Sequence, residues 1–266
     1  MSGSHADSVF REKYGPYALV AGGSCGLGEA FAEALARRGL NLVLLARNAE
    51  RLEALARRLA GQYRVAVSAC RADLADYDRT KEAIAELGLP IGLMVYNAAF
   101  APIGSFESVD EERLAMAAAV NVKTPLLLSR LLCGPMVENR RGGIVLMSSL
   151  AGGQGCPKLA AYSATKAFNT VLAESLWKEL RPHGIDVIGC CAGAVLTPGY
   201  RQAEKRKPAP GALTAERVAE QTLLALGRGP IVVPGAVNKL ARFFLARLVS
   251  RRTAVDIMSK NTGGLV

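Results

Sequence analysis

The sequence predicts a single α/β domain, doubly wound, with helices on both faces of a seven-stranded parallel sheet. Three observations carry this. Short apolar runs alternate with amphipathic helical stretches from Tyr17 to Pro234. The first run leads straight into a glycine-rich turn, Gly22-Gly-Ser-Cys-Gly-Leu-Gly28, that opens a helix. The chain has 266 residues, 50% of them hydrophobic, enough for one large core, and no internal repeat divides it.

Residues 1–13 hold no apolar signal core and read as a flexible leader ahead of a domain spanning 14–235. Strand Tyr17–Ala21 meets the glycine turn, and the helix through Glu29–Arg38 stops at Gly39. In that setting glycines 22, 26 and 28 let backbone amides approach a pyrophosphate, which the helix N-terminus also favours. A second strand, Asn41–Ala46, ends at Arg47, about 20 positions beyond the glycines, where an acid would accept a ribose 2′-hydroxyl. A guanidinium there, with Arg51 one turn on, suits a 2′-phosphate instead, so NADP(H) is expected rather than NAD.

A helix Ala49–Leu59, capped by Asn48 and closed by Gly61, precedes a strand over Arg64–Ala72. Asp73, followed by Leu74, either accepts from an adenine amine or caps the next helix, Ala75–Gly88. Strand Ile91–Tyr96 ends in Asn97-Ala98-Ala99, small residues that let a ribose lie against the backbone. A helix from Glu111 is interrupted at Asn121, whose amide needs a local bend that bonds it or a catalytic reason.

Strand Ile144–Met147 ends in Ser148 and Ser149, and the long helix that follows carries Tyr162 and Lys166 on one face. The same spacing recurs at Tyr77 and Lys81, read as surface residues, because ligands sit beyond strand carboxyl ends. A tyrosine with a pKa near ~10 is a poor base at neutral pH. An ammonium one turn away and a cationic oxidised nicotinamide would each favour its phenolate. Ser149 is expected to orient the substrate oxygen, Lys166 to hold the nicotinamide ribose, and Asn121 to fix a water linking Lys166 to solvent. Strand alternation turns Ser148 to the opposite face.

Strand Asp186–Ala192 leads to Gly193-Ala-Val-Leu-Thr-Pro198, and the polar loop 198–213 is expected to govern substrate size. Helix Thr214–Leu226 and strand Pro230–Pro234 complete the domain. Residues 236–266 form a basic amphipathic extension, with Leu240, Phe243, Phe244 and Leu248 beside Lys239, Arg242, Arg247 and Arg251. It is expected to pack on its own domain or a partner subunit, with a membrane surface the lesser alternative and closure over the substrate cleft a further one.

Six cysteines show no CxxC or metal spacing and read as small buried thiols, while two histidines argue against a zinc site or a Ser–His–Asp triad. No metal is expected. The net charge of +10 comes largely from arginine pairs placed at helix ends, without interleaved aromatics, which speaks against nucleic acid and for attraction of anionic ligands. No apolar run approaches the ~20 residues of a membrane span, and a cytoplasmic location is expected.

Gly22-x-x-x-Gly26-x-Gly28, Asp73, Asn97-Ala98, Asn121, Ser149, Tyr162-x-x-x-Lys166 and Gly193…Thr197 together resemble the short-chain dehydrogenase/reductase family, over about Tyr14 to Pro234. The resemblance implies a Rossmann-type fold and a catalytic tetrad of Asn121, Ser149, Tyr162 and Lys166. It implies cofactor contacts from Gly22, Ser24, Gly26, Leu27, Gly28, Arg47, Asp73, Leu74, Asn97, Ala98, Tyr162 and Lys166, with Val195 and Thr197 at the nicotinamide amide. It also implies homodimers or homotetramers through the helices around 121–136 and 157–183. Within the family, REKYGPYALVAGGSCGLGEAF and NLVLLARNAERL are similar to NADP-dependent hydroxysteroid dehydrogenases, particularly the bacterial bile-acid type. The family pattern is departed from at Ala21, at Tyr96 and Ala99, and at Ala192. The activity so implied is hydride transfer between the nicotinamide and a secondary alcohol/ketone on a steroid-like or other apolar substrate. Reduction of acyl-chain or small carbonyl substrates, and a non-catalytic NADP-binding regulatory role, are the alternatives.

Overall fold

Long strands send alternate residues to opposite faces of a sheet, and here both faces are apolar, as burial on both sides requires. A computed structural model describes residues 5–198 and 209–262. Its strands are β1 (Tyr17–Ala21), β2 (Asn41–Ala46), β3 (Val67–Arg71), β4 (Ile91–Tyr96), β5 (Gly142–Ser149), β6 (Ile185–Ala192), β7 (Val195–Leu196), β8 (Leu213–Thr214) and β9 (Ile231–Val232). Seven of them pair in the order β3-β2-β1-β4-β5-β6-β9, all parallel, while β7 and β8 pair with each other. The helices are α1 (His5–Tyr14), α2 (Gly26–Arg37), α3 (Ala49–Tyr63), α4 (Tyr77–Leu87), α5 (Glu111–Ala118), α6 (Thr124–Glu138), α7 (Ala160–Leu180), α8 (Ala215–Ala225), α9 (Ala236–Arg247) and α10 (Arg251–Thr262).

Ala18 and Val20 of β1 face one core with Leu42, Leu44, Leu93 and Val95, covered by α2, α3 and α8 through Phe31, Leu35, Leu52, Leu59 and Val218. Leu19 faces the other with Val43, Met94, Ile144 and Leu146, covered by Ile84 of α4 and Leu128, Leu132 and Met136 of α6. The strand order reverses between β1 and β4, so a cleft opens beyond their carboxyl ends.

Several expectations need correcting. The leader beyond Ser4 is not a loose segment but helix α1, because Tyr14 is buried and donates to Asp186 Oδ2 at 2.6 Å. Gly61 does not close α3; the helix runs on to Tyr63, and Arg64 takes the left-handed cap at φ 57°. Strand β3 is correspondingly shorter, beginning at Val67. Of the arginine pairs, Arg57 and Arg58 lie inside α3, where Arg58 pairs with Glu29 and Glu33, and Arg251 and Arg252 open α10 rather than close a helix. The tail is two helices, not one. Four cysteines are buried as expected, but Cys25 is exposed and Cys133 half-buried. The substrate loop is described only at 198 and 209–213; residues 199–208 lie outside the described residues.

Helices α5 and α6 are joined by a π-helical turn, Ala119–Lys123, into one helix Glu111–Glu138 of 28 residues. By length and composition alone this helix could cross a membrane, which the sequence reading did not anticipate. Leu128, Leu132 and Met136 instead bury it against the sheet. A π turn widens the helix and frees carbonyls from the regular ladder. The Val120 carbonyl is taken by the buried Tyr96 hydroxyl at 2.6 Å.

Two interactions invite tests. Tyr96→Phe strands the Val120 carbonyl in the core and is expected to cost about 1–3 kcal/mol in denaturant unfolding; an unchanged midpoint would show that water replaces the phenol. Glu220 of α8 receives Arg37 and Arg38 from α2, with Arg38 Nη1 to Oε1 at 3.0 Å, and the Arg38 hydrogen bonds hold its carboxyl below the usual carboxylate range. A carboxyl so depressed contributes stability above its unfolded pKa and loses it as pH falls through the folded one. The pair is partly exposed, so Glu220→Gln is expected to lower stability at neutral pH by about 1 kcal/mol. Its melting curve should converge with the parent's in acid; coincident curves already at neutral pH would remove the α2–α8 clamp.

Candidate active site

The glycine turn is held tightly against the sheet. Gly22 and Gly23 both donate to the Leu45 carbonyl, at 2.8 and 3.2 Å. Gly22 sits at φ 78°, and a Cβ there would lie 2.8 Å from the Ala98 backbone; one on Gly28 would lie 1.9 Å from the Gly22 carbonyl. These two positions admit nothing larger, and the turn therefore leaves its backbone open toward the cleft at the N-terminus of α2. Asn97 Nδ2 donates to the Gly22 carbonyl at 3.1 Å, so its side chain braces the turn. Leu27 packs into the first core. Thr197, beyond β7, covers the turn from the other side, 3.1 Å from where a Gly26 Cβ would stand, and Val195 is half-buried in β7.

A cavity of about 520 Å³ runs along the carboxyl ends of β1, β2 and β4. Gly22, Ser24, Arg47, Asp73, Leu74, Asn97 and Ala98 line it together with Arg51, so the structure brings seven of the fourteen cofactor positions chosen from sequence to one place; Gly26, Leu27, Gly28, Tyr162, Lys166, Val195 and Thr197 do not line it. Cys25 lines it as well. Arg47 and Arg51 are exposed and form no ion pair among the described residues. Asp73 accepts from the Ala75 amide at 3.1 Å, while Asp76 caps α4 through the Arg79 amide. The helix-capping alternative for Asp73 thus falls to Asp76. A glycine cradle, a helix N-terminus and two carboxylate-free guanidiniums fit an anionic dinucleotide.

Ser149 ends β5, and Tyr162 and Lys166 face it from the first turns of α7. The Ser149 hydroxyl accepts from the Ala151 amide at 3.2 Å and lies near enough to the Tyr162 phenol to favour its ionised form. Lys166 is buried; its Nζ donates to the Met147 carbonyl at 2.8 Å and lies 5.6 Å from the Tyr162 ring centroid. Ser148 points away, its hydroxyl bonded to the Lys166 carbonyl and to Thr170. Tyr77 packs half-buried at the edge of the second core, not freely on the surface, and takes no part in the cleft.

Asn121, fully buried at the π turn, is a brace. Its Oδ1 accepts from the Phe100 amide at 2.8 Å, and its Nδ2 donates to the Phe100 carbonyl at 2.7 Å and to Thr165 Oγ1 at 3.1 Å. Its own carbonyl accepts from Asn169 Nδ2 at 3.0 Å. These bonds give the groups expected to fix a relay water a structural role as well. The buried acceptor without a partner among the described residues is instead Asn169 Oδ1, one turn beyond Lys166. Asn169 was missed by the sequence reading, although an amide in an apolar helix is the same signal that marked Asn121.

Burial raises the Tyr162 pKa, and the Ser149 hydrogen bond only partly offsets it. Burial likewise lowers Lys166 to about 8. Both shifts favour the uncharged forms. A positive charge arriving next to Tyr162 is what would turn the pair toward phenolate and ammonium. Acid–base exchange at a substrate oxygen is the chemistry this arrangement supports.

Residues 16–208 match the family model described as short chain dehydrogenase. The 7β-hydroxysteroid dehydrogenase of Clostridium sardiniense is 30% identical over 233 residues, 86% of this chain and 89% of its own length. The human inactive hydroxysteroid dehydrogenase-like protein 1 is 35% identical over 191 residues, 70% of this chain and 57% of that protein. A structure solved in a study of 7β-hydroxysteroid dehydrogenase stereoselectivity superposes with TM-score 0.89 at 28% identity, covering 94% of this chain and 99% of that one. An NADPH complex of a short-chain dehydrogenase from Sphingobium yanoikuyae superposes with TM-score 0.76 at 29% identity, covering 94% and 96%. Matched by that family model over residues 16–208, and carrying the glycine turn, the parallel sheet and the Ser149, Tyr162 and Lys166 cluster, the chain belongs to the short-chain dehydrogenase family.

Proposed function

We propose that this chain is an NADP(H)-dependent oxidoreductase that interconverts a secondary alcohol and its ketone on an apolar substrate of steroid size. The observation that carries the reading is the Ser149–Tyr162 hydroxyl pair backed by Lys166, beside a cavity that holds two arginines free of carboxylates. When bound, the nicotinamide supplies or accepts the hydride. Ser149 donates to the substrate oxygen and fixes its carbon's orientation. In oxidation Tyr162 takes the hydroxyl proton as hydride leaves the carbon; in reduction it returns a proton to the carbonyl oxygen. Lys166 stabilises the phenolate and passes the proton onward, through a water seated on Asn169 Oδ1. Arg47 and Arg51 hold the 2′-phosphate. The substrate class draws its support from the relatives that carry hydroxysteroid dehydrogenase names.

The human relative described as inactive keeps open a regulatory reading, in which the fold binds cofactor without turnover. Tyr162→Phe separates the two. It is expected to lower kcat on hydroxysteroids or bulky secondary alcohols by at least about 10²-fold, with NADPH affinity within about threefold of the parent. A parent that binds NADPH but turns over no alcohol or ketone would favour the regulatory role, and full activity in the variant would remove Tyr162 from the chemistry. At alkaline pH short of free-tyrosine ionisation, the parent-minus-variant spectrum is expected to show phenolate absorbance only after NADP⁺ is added; phenolate without cofactor would contradict the burial argument. Arg47→Asp should cut the preference for NADPH over NADH by at least about tenfold, and an unchanged ratio would free Arg47 of the 2′-phosphate.

A further inference from the structure

Helix α9 turns an apolar face outward. Among the described residues eleven large hydrophobic side chains are exposed, and five of them belong to α9 and the residue after it: Val237, Leu240, Phe243, Phe244 and Leu248. The orientation is fixed from beneath, because the buried Asn238 donates to the Pro234 and Gly211 carbonyls at 2.9 and 3.0 Å. Exposed apolar residues concentrated this way mark an interaction surface rather than ordinary scatter. The extension does pack on its own domain through Asn238 of α9 and Ala254 and Thr262 of α10, but the domain leaves this apolar face uncovered.

The surroundings say what fits. Residues 236–262 carry six basic side chains against one acid, Asp256, and α9 itself has none. Lys239 and Arg247 are exposed on the helix, and Arg252 at the start of α10. Arg242 turns inward, with Nη1 buried and unpartnered among the described residues. Five side chains of this size, about half exposed, offer on the order of 500 Å², short of the roughly 800 Å² per partner in a standard protein interface. A second copy would also set these cations against their own kind. A bilayer surface has neither problem: it accepts a single apolar helix face in the acyl boundary and matches the flanking cations with anionic headgroups.

We propose that α9 docks this protein on anionic membrane surfaces, with Leu240, Phe243, Phe244 and Leu248 entering the headgroup–acyl boundary and Lys239 and Arg247 meeting lipid phosphates. The docking does not depend on which reaction the cleft performs. Flotation of the full chain with phosphatidylcholine vesicles, with and without phosphatidylglycerol, tests it. The protein is expected to float with the anionic vesicles alone and to be released by raised salt. The double variants Leu240→Ser/Phe244→Ser and Lys239→Glu/Arg247→Glu should each weaken binding by at least about tenfold, while melting temperature and NADPH binding stay near the parent's. No flotation with anionic vesicles, or equal flotation of the variants, would overturn the proposal. So would sedimentation velocity showing an oligomer that Leu240→Ser/Phe244→Ser dissociates in protein that does not float, since the face would then be a contact between copies.

Discussion

One buried carboxamide holds the site together. Asn121 stands where α5 and α6 join through a π turn, and it ties three segments that share no ladder. Its side chain clamps the loop at Phe100, reaches Thr165 on α7, and so fixes the turn whose carbonyl at Tyr162 receives the Thr165 hydroxyl. Its backbone carbonyl holds Asn169, and its neighbour Val120 holds Tyr96 at the end of β4. Each such bond contributes only about 0.5–1.5 kcal/mol net, but an orphaned buried partner costs about 1–3. Because the partners interlock, loss of one exposes several others to that penalty. The distortion in the helix is what makes the network feasible, since a regular helix would have spent these carbonyls on itself.

That network delivers a phenol and an ammonium into a buried setting that suits neither charge. Desolvation moves Tyr162 up and Lys166 down, so each becomes less charged than it would be in water. The Met147 carbonyl holds Lys166 within 5.6 Å of the ring but adds no charge of its own. Chemistry is thereby made conditional on what else occupies the cleft. A positive charge placed beside Tyr162 would favour its phenolate against that burial.

Local features of this arrangement were legible in the sequence: a strand feeding glycines, an amide breaking an apolar helix, a hydroxyl at a strand end, a Tyr–Lys pair one turn apart. Position against the sheet separated Tyr162 from Tyr77. What escaped were consequences of long-range contact. Helix α1 exists because Tyr14 meets Asp186, 172 residues away, and nothing nearby announces it. Gly61 looked like a stop, yet Leu55 and Leu59 bury α3 deeply enough to carry the helix past it. Asn97 lines the cavity as expected, but that its side chain also braces the Gly22 carbonyl could not be read from the sequence. Asp73 was one candidate cap for the next helix, but Asp76, which the sequence did not single out, accepts from the Arg79 amide and caps it.

The basic excess also divides once the partners are visible. Arg37, Arg38 and Arg58 are spent inside the fold, binding α2 to α8 and α3 through Glu220, Glu29 and Glu33. Arg47, Arg51, Lys239 and Arg247 have no such carboxylates among the described residues. Two of these line the cavity at the glycine turn and two flank the apolar face of α9. A cation left without a carboxylate in water costs little and stabilises little. Its placement is therefore free to be set by what it binds rather than by the fold. On the readings proposed above, both places meet phosphate: one pair of guanidiniums at a single ribose, the other cations spread along a helix beside exposed leucines and phenylalanines, where an extended anionic surface would meet charge and apolar face together.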